Sequence, residues 1–106
     1  MMWVVEFLDE NVLAEMQAQP IEIRAKFEHI VKLIQANGLE HVHEPYVKHL
    51  EGKLWEIRMK GKDTIARALY VTYVGKRIVI LRVFTKKKQK TPRREIELAL
   101  SRAKEI

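Results

Sequence analysis

The chain has 106 residues, 47% of them hydrophobic, and a formal net charge of +6. This length suits one domain with a real core, so we expect a single domain over residues 1–106. There is no cysteine, which excludes disulfides and any thiolate metal site or nucleophile. No segment approaches the roughly 20 apolar residues of a membrane span, and the first residues lack the pattern of a signal peptide. We therefore expect a cytoplasmic protein without a membrane partner.

The charge is unevenly distributed along the chain. Residues 1–45 contain three basic and eight acidic side chains, a net charge of −5, whereas residues 46–106 contain seventeen basic and six acidic ones, a net charge of +11. A basic half of this kind attracts phosphate backbones or acidic proteins. Solubility alone is the alternative explanation of the charge.

The first 38 residues predict a strand and two helices. Residues 3–8 are rich in β-branched and aromatic side chains, which favours a short strand, and Asp9 is a candidate helix cap. Apolar residues then fall on one helical face at Val12, Leu13 and Met16. We expect a second helix to begin with Pro20 at its first position and to end at Asn37–Gly38. Its apolar residues are spaced four, three and four apart: Ile23, Phe27, Ile30 and Ile34. The two helices should form an antiparallel hairpin lying on a sheet.

The connector that follows, residues 39–45, contains His41 and His43. An H-x-H pair on a strand can bind a metal ion, but no third ligand has a recognisable spacing, so we expect no metal site. Residues 46–50 are interpreted as a short extended lead-in to the next strand.

Three strands joined by tight turns are predicted next. Between residues 53 and 60 apolar and polar side chains alternate, which places Trp55, Ile57 and Met59 against the helices and the charged residues on the other face. Residues 65–74 form the second strand, where Arg67 shares a face with apolar residues. A buried guanidinium must be paired or open onto a cleft, so Arg67 either pairs with Glu56 on the neighbouring strand or binds a ligand. Residues 78–84 are apolar on both faces except for Arg82, which predicts a strand inside the sheet.

A basic loop and a final helix complete the chain. Between residues 82 and 94, seven of the thirteen side chains are basic and none is acidic. Thr91 is a candidate cap with Pro92 at the first helical position, and the helix has an apolar stripe at Ile96, Ala99, Leu100 and Ala103. A basic loop beside a helix N-terminus favours bound anions.

Three motifs carry a resemblance to a known family. They are L-x-G-x-L-W-E-I-R at residues 50–58, A-R-A-L-Y at residues 66–70, and F-T-K-K-K-Q-K-T-P-R-R-E-I-E-L-A at residues 84–99. With the order of the elements, they resemble the RelE/HigB toxin superfamily, and more narrowly its phage-derived, HigB-like branch. The resemblance implies an α+β RelE-like fold with an N-terminal strand, a helical hairpin, a three-stranded antiparallel meander and a C-terminal helix.

The implied function is the toxin of a type II toxin–antitoxin pair, an endoribonuclease that cuts messenger RNA on the ribosome without a cofactor. The implied partner is an antitoxin with a helix-turn-helix domain, through which alone the toxin would contact DNA. The resemblance assigns catalysis to Arg58, Arg67, Lys86 and Lys87, with Glu56 as an orienting residue. We expect six further basic side chains of this half to bind RNA: Lys48, Lys60, Arg82, Lys88, Lys90 and Arg93.

RNA cleavage by its own 2′-hydroxyl needs a proton acceptor, cations that stabilise the phosphate and a proton donor for the leaving 5′-oxygen. Arginines supply bidentate phosphate contacts. Some relatives use a histidine or tyrosine near the end of the last strand, whereas this chain has neither after Tyr73 and offers Lys86 and Lys87 there. Two alternatives stay open: a ParE-like toxin that acts on DNA gyrase without nuclease activity, and a basic RNA- or ribosome-binding module without catalysis.

Overall fold

The computed structural model describes residues 2–87 and 90–106. The first third of the chain forms a strand and two helices. Strand β1 (Val4–Phe7) leads into α1 (Glu10–Gln17) and α2 (Ile21–Asn37). Asp9 caps α1, because its side-chain Oδ1 accepts a hydrogen bond from the Val12 N–H at 3.0 Å. Helix α2 ends where predicted, at Gly38, whose φ of +87° favours glycine. Pro20 precedes α2 rather than occupying its first position.

The rest of the chain forms the sheet and a third helix. Strands β2 (Val47–Glu51), β3 (Leu54–Lys60), β4 (Ile65–Tyr73) and β5 (Arg77–Lys86) form an antiparallel meander, and α3 (Arg93–Ala103) follows. The strand order is β1-β5-β4-β3-β2, with β1 parallel to β5. The meander has four strands rather than three, because the residues expected as a lead-in pair with β3 as an outer strand. Strand β5 lies inside the sheet, as its two apolar faces predict.

The two N-terminal helices cover one face of the sheet. The apolar residues predicted for α2 are all buried, and from the sheet Ile57, Met59, Ala66, Ala68, Ile78 and Ile80 join the same core. Burying each of the larger side chains contributes about 1.5–3 kcal/mol. Two expected core residues lie at its margin. Trp55 is 38% exposed and packs against His49, and Leu13 is 37% exposed.

Helix α3 covers only part of the opposite face. Its apolar stripe packs on a second core whose buried members are Leu54, Leu69, Val71, Val79, Leu81, Phe84 and Ala99. The strand register places Glu56 opposite Leu69, Arg58 opposite Arg67, and Lys60 opposite Ile65. Since paired residues share a face, these charged side chains lie on the same face as α3, toward the end of the sheet where β5 runs into the basic loop. No helix in the described ranges is long and apolar enough to cross a membrane.

Candidate functional site

Three basic side chains from three adjacent strands meet on this face. Arg58 on β3 is paired in register with Arg67 on β4, and Arg67 is paired with Phe84 on β5. Lys86 is two residues beyond Phe84, so its side chain lies on the same face as both arginines. Regular strands hold all three, which fixes their backbone positions far better than a loop would.

The carboxylate of Glu56 lies at the centre of this group and is almost fully buried, with 2% of the residue exposed. Its Oε2 atom is 3.6 Å from Arg58 Nε and 3.5 Å from Arg67 Nε. Its Oε1 atom accepts a hydrogen bond of 2.6 Å from the Thr91 hydroxyl. The pairing of Arg67 with Glu56 considered from the sequence is therefore present. We call Glu56, Arg58, Arg67, Lys86 and Thr91 the Glu56 cluster.

Arg67 is buried and only loosely satisfied. Its Nη1 donates to the carbonyl oxygen of Ala66 at 3.0 Å, while Nε makes no hydrogen bond to any residue in the described part of the chain. Burial lowers the pKa of Arg67 from its usual value, the charge of Glu56 opposes that effect, and the charge of Arg58 adds to it. The guanidinium remains protonated at physiological pH. Arg67 is thus a buried cation whose N–H groups are not all used in hydrogen bonds.

Lys86 ends β5 and is 6% exposed. Burial lowers the pKa of Lys86, and the positive charges of Arg67, Arg58 and Lys48 lower it further, while Glu56 acts in the opposite direction. An amine surrounded in this way loses its proton more readily than a lysine in water. Among the candidate residues it has the chemistry of a proton acceptor.

The catalytic candidate Lys87 and three of the candidate RNA-binding residues lie on two sides of this cluster. Lys48 on β2 is opposite Glu56 in the register, and Lys60 ends β3; both are exposed. Lys87 and Lys90 are exposed where β5 leads toward α3, and they line an open cleft of about 710 Å³ with the start of that helix. Lys88 was also predicted to bind RNA, but it lies outside the described residues.

Thr91 does not cap α3 as the sequence suggests. Pro92 is the residue at the cap and makes no side-chain cap hydrogen bond, while the Thr91 hydroxyl turns to Glu56 on β3. A buried carboxylate without hydrogen-bond donors costs more free energy than an uncapped helix end that is exposed, because water can bind the free N–H groups there. The Thr91 hydroxyl therefore stabilises the fold more by donating to Glu56 than by capping α3. The T-P dipeptide alone does not predict that Thr91 donates a hydrogen bond to a residue 35 positions away.

Two other predicted RNA-binding arginines are engaged by carboxylates. Arg82 lies between two of them, with Nη1 2.9 Å from Glu15 Oε2 and Nε 2.8 Å from Glu95 Oε1. Arg93 forms an exposed pair with Glu51. Arg58 itself has a second partner, the exposed Glu44, at 3.3 Å from Nη1. Local sequence does not predict this role for Glu44, because an irregular connector has no strand register.

Metal binding has no support in the described ranges, where no group of three or more histidine, cysteine, aspartate or glutamate side chains is arranged to hold an ion. His41 and His43, the pair considered from the sequence, belong to no such group there.

Two solved structures have the same fold as this chain. A mutant of the E. coli toxin RelE in the free state matches with a TM-score of 0.67 and 18% identity, covering 96% of this chain and 98% of that one. The archaeal RelE–RelB complex from Pyrococcus horikoshii matches with a TM-score of 0.59 and 22% identity, covering 83% of this chain and 99% of that one. The chain therefore has the RelE-like toxin fold.

A family model places the chain more narrowly. Residues 14–104 match the family described as phage derived protein Gp49-like (DUF891). The chain belongs to this phage-derived family, which is a RelE/HigB-like toxin family. No curated protein matches the sequence. Family and fold together support a toxin component of a toxin–antitoxin system.

Proposed function

We propose that this protein is a toxin that cleaves messenger RNA on the translating ribosome, and that the Glu56 cluster is its active site. The observation that carries the proposal is the convergence of Arg58, Arg67 and Lys86 from three strands around one buried carboxylate. Two arginines suit a phosphate, and an amine with a lowered pKa suits proton transfer. A general basic patch for solubility would not need buried cations.

The proposed reaction is a transesterification within the RNA. The 2′-oxygen attacks the adjacent phosphorus, the bond from phosphorus to the 5′-oxygen breaks, and the products are a 2′,3′-cyclic phosphate and a free 5′-hydroxyl. One proton leaves the 2′-hydroxyl and one is added to the 5′-oxygen, so the reaction needs no water or cofactor. Negative charge accumulates on the phosphate oxygens as phosphorus becomes five-coordinate.

Each of the four charged residues of the cluster has a role in this scheme. Arg58 and Arg67 bind the scissile phosphate and stabilise its growing charge, a contribution that typically accounts for about 100- to 1,000-fold in rate for one donor. Neutral Lys86 accepts the proton of the 2′-hydroxyl. Lys87, which is exposed just after β5, donates the proton to the leaving oxygen. Glu56 orients the arginines, and Lys48, Lys60 and Lys90 bind the flanking backbone.

Ribosome-held geometry supplies much of the remaining rate. Lysines are weaker proton-transfer groups near neutral pH than a histidine, and this chain has no histidine after His49. Fixing the RNA so that the 2′-oxygen is aligned with the phosphorus can contribute roughly 7–11 kcal/mol. This requirement for alignment favours a ribosome-dependent enzyme over one that cleaves free RNA. We expect such an enzyme in the cytoplasm, where ribosomes translate messenger RNA.

We also propose a neutralising antitoxin with a helix-turn-helix domain. One structure with this fold is that of a RelE–RelB complex. An antitoxin for this chain should carry acidic residues that cover the exposed cations around the Glu56 cluster. Co-expression with the product of the adjacent reading frame tests this: a stable complex that no longer stops growth supports the partner, and independent elution of the two proteins contradicts it.

The test of the enzymatic function uses purified protein and ribosomes translating a defined messenger. Wild-type protein should produce new 5′ ends in the ribosome-bound messenger, and the Arg58→Ala/Arg67→Ala double variant should not. Intact messenger with both proteins would overturn the nuclease assignment. Gyrase-dependent DNA cleavage by the wild type, with intact messenger, would instead identify a ParE-like toxin. Salt-dependent ribosome binding without cleavage would identify a binding module.

A further inference from the structure

We propose that Thr91 is a positioning residue: its hydroxyl holds the Glu56 carboxylate so that Arg58 and Arg67 keep N–H donors available for a phosphate. The inference rests on the proposed function in taking that phosphate to belong to RNA. It adds to the reaction a residue that touches neither substrate nor reacting atoms.

The distances around Glu56 show which contact fixes the carboxylate. The Thr91 bond of 2.6 Å is a short hydrogen bond to a charged acceptor, the stronger kind. The two contacts to the arginines, at 3.5 and 3.6 Å, are ion pairs longer than good hydrogen bonds. Glu56 is therefore tied most closely to a neutral donor, and its charge acts on the arginines at a distance.

Removing the hydroxyl changes what the carboxylate does. A buried carboxylate that loses one donor turns toward others, and the nearest are the guanidinium groups of Arg58 and Arg67. A fork of two parallel hydrogen bonds from an arginine to Glu56 would use the same N–H groups that a phosphate needs. Without Thr91 the cluster becomes a closed ion pair that competes with RNA.

The hydrogen bond from Thr91 to Glu56 also links the basic loop to strand β3. Thr91 lies just before Pro92 and α3, and one residue after Lys90, which lines the cleft. Both Thr91 and Glu56 are buried, so water does not readily replace the bond. The position of the segment that enters α3 and the availability of the two arginines are thus set by one contact. A substitution at Thr91 should weaken RNA binding even though Lys86 and both arginines are intact.

The experiment measures binding separately from cleavage. The probe is a single-stranded RNA with a 2′-O-methyl group at every position, which binds but cannot react. Thr91→Val should bind it about tenfold more weakly than wild type, and Thr91→Ser, which retains the hydroxyl, should stay within about twofold. Thr72→Val is the control variant. It makes the same change in β4, on the face of the sheet opposite to the Glu56 cluster, and it should bind like the wild type. If the valine variant does not fold, Thr91→Ala takes its place.

A double-mutant cycle then shows whether Thr91 acts through the carboxylate. Glu56→Gln/Thr91→Val should bind RNA no more weakly than Glu56→Gln alone, because the group that Thr91 positions is already gone. Full affinity in folded Thr91→Val, or independent effects of the two substitutions, would overturn the proposal.

Cleavage assays keep the two proposals distinct. On ribosomes, Thr91→Val should raise the protein concentration needed for half-maximal cleavage more than it lowers the saturated rate. If the wild-type protein cleaves no messenger while Thr91→Val still weakens RNA binding, the nuclease assignment fails and the role of Thr91 stands.

Discussion

Two carboxylates in this protein each lie between a pair of arginines, and the two groups differ in how closely the charges approach. Glu15 on α1 is 2.9 Å from Arg82 and 2.9 Å from Arg102, and it also accepts the Val83 N–H at 3.0 Å. Glu56 is 3.5 and 3.6 Å from its arginines and accepts a short hydrogen bond from the Thr91 hydroxyl. The tighter group is also the more exposed, with 17% of the Glu15 side chain accessible against 3% for Glu56.

The difference separates a structural contact from a site that can bind a ligand. The Glu15 group joins α1, β5 and α3, because Arg102 also donates to the Leu81 carbonyl at 2.8 Å and Arg82 also pairs with Glu95. Every charge there has a close partner, so little is left for a ligand. In the Glu56 cluster Arg67 is buried and Arg58 is half-buried, and both lie 3.5–3.6 Å from Glu56, an arrangement that costs stability unless a further anion completes it. A phosphate would be that anion.

The largest expected effect is the difference in messenger cleavage between a variant without Arg67 and a variant without Arg82. Arg67→Ala should lower messenger cleavage at least about 100-fold, since it removes a buried phosphate donor. Arg82→Ala should lower the unfolding temperature but leave cleavage near the wild-type level below that temperature. Cleavage rates and thermal unfolding of both variants provide the measurement, and equal losses of activity would contradict the distinction between the two groups.

Lys86 provides the next test through the pH dependence of cleavage. Because burial and the neighbouring cations lower the pKa of Lys86, the rate should rise with pH and reach half of its plateau below the ordinary pKa of lysine. Lys86→Met should lose that rise and about 100-fold in rate. Lys86→Arg keeps the charge but cannot lose its proton, so a fully active arginine variant would show that Lys86 only binds. Lys104→Met, an exposed substitution on the far end of α3, serves as the charge control.

Glu15→Gln should lower the free energy of unfolding by about 2 kcal/mol, because it leaves Arg82 and Arg102 short of a counter-charge. Burial alone would raise the pKa of Glu15, but hydrogen bonds from Arg102 and the Val83 N–H and the charge of Arg82 lower it overall. A carboxylate with a lowered pKa stabilises the fold above its unfolded pKa, and that contribution is lost as pH falls through the folded value. Urea unfolding between pH 3 and 7 should therefore show a weaker acid dependence in the variant, and an unchanged dependence would contradict the role.

The smallest expected effect concerns the exposed partner of Arg58. Glu44→Gln removes an accessible carboxylate that competes with RNA for this guanidinium, so RNA affinity should rise about twofold, as expected for an exposed ion pair. Glu40→Gln removes the same charge from the connector without a pair to Arg58. An equal gain in both variants would point to net charge rather than to the specific contact.

Much of the fold could be predicted from local patterns. The spacing of apolar residues in α2, Gly38 at its end and the alternation in β3 gave the correct elements. The edge strand β2 was underestimated, because Val47–Glu51 is short and half exposed and becomes a strand only through its pairing with β3. Trp55 has the correct alternation for the core yet stays partly exposed, since how far a helix covers a strand is not encoded within that strand.

The sequence by itself determined the order of most elements and the basic half of the chain, because hydrophobic periodicity and charge are local properties. The candidates Arg58, Arg67, Lys86 and Lys87 came from the resemblance of its motifs to a known family. Only the tertiary structure decided which charges remain available. It paired Arg82 with Glu15 and Glu95, and it turned Thr91 away from the helix end toward Glu56. These contacts join residues 13 to 67 positions apart, and their geometry follows from strand register and from how α3 packs on the sheet.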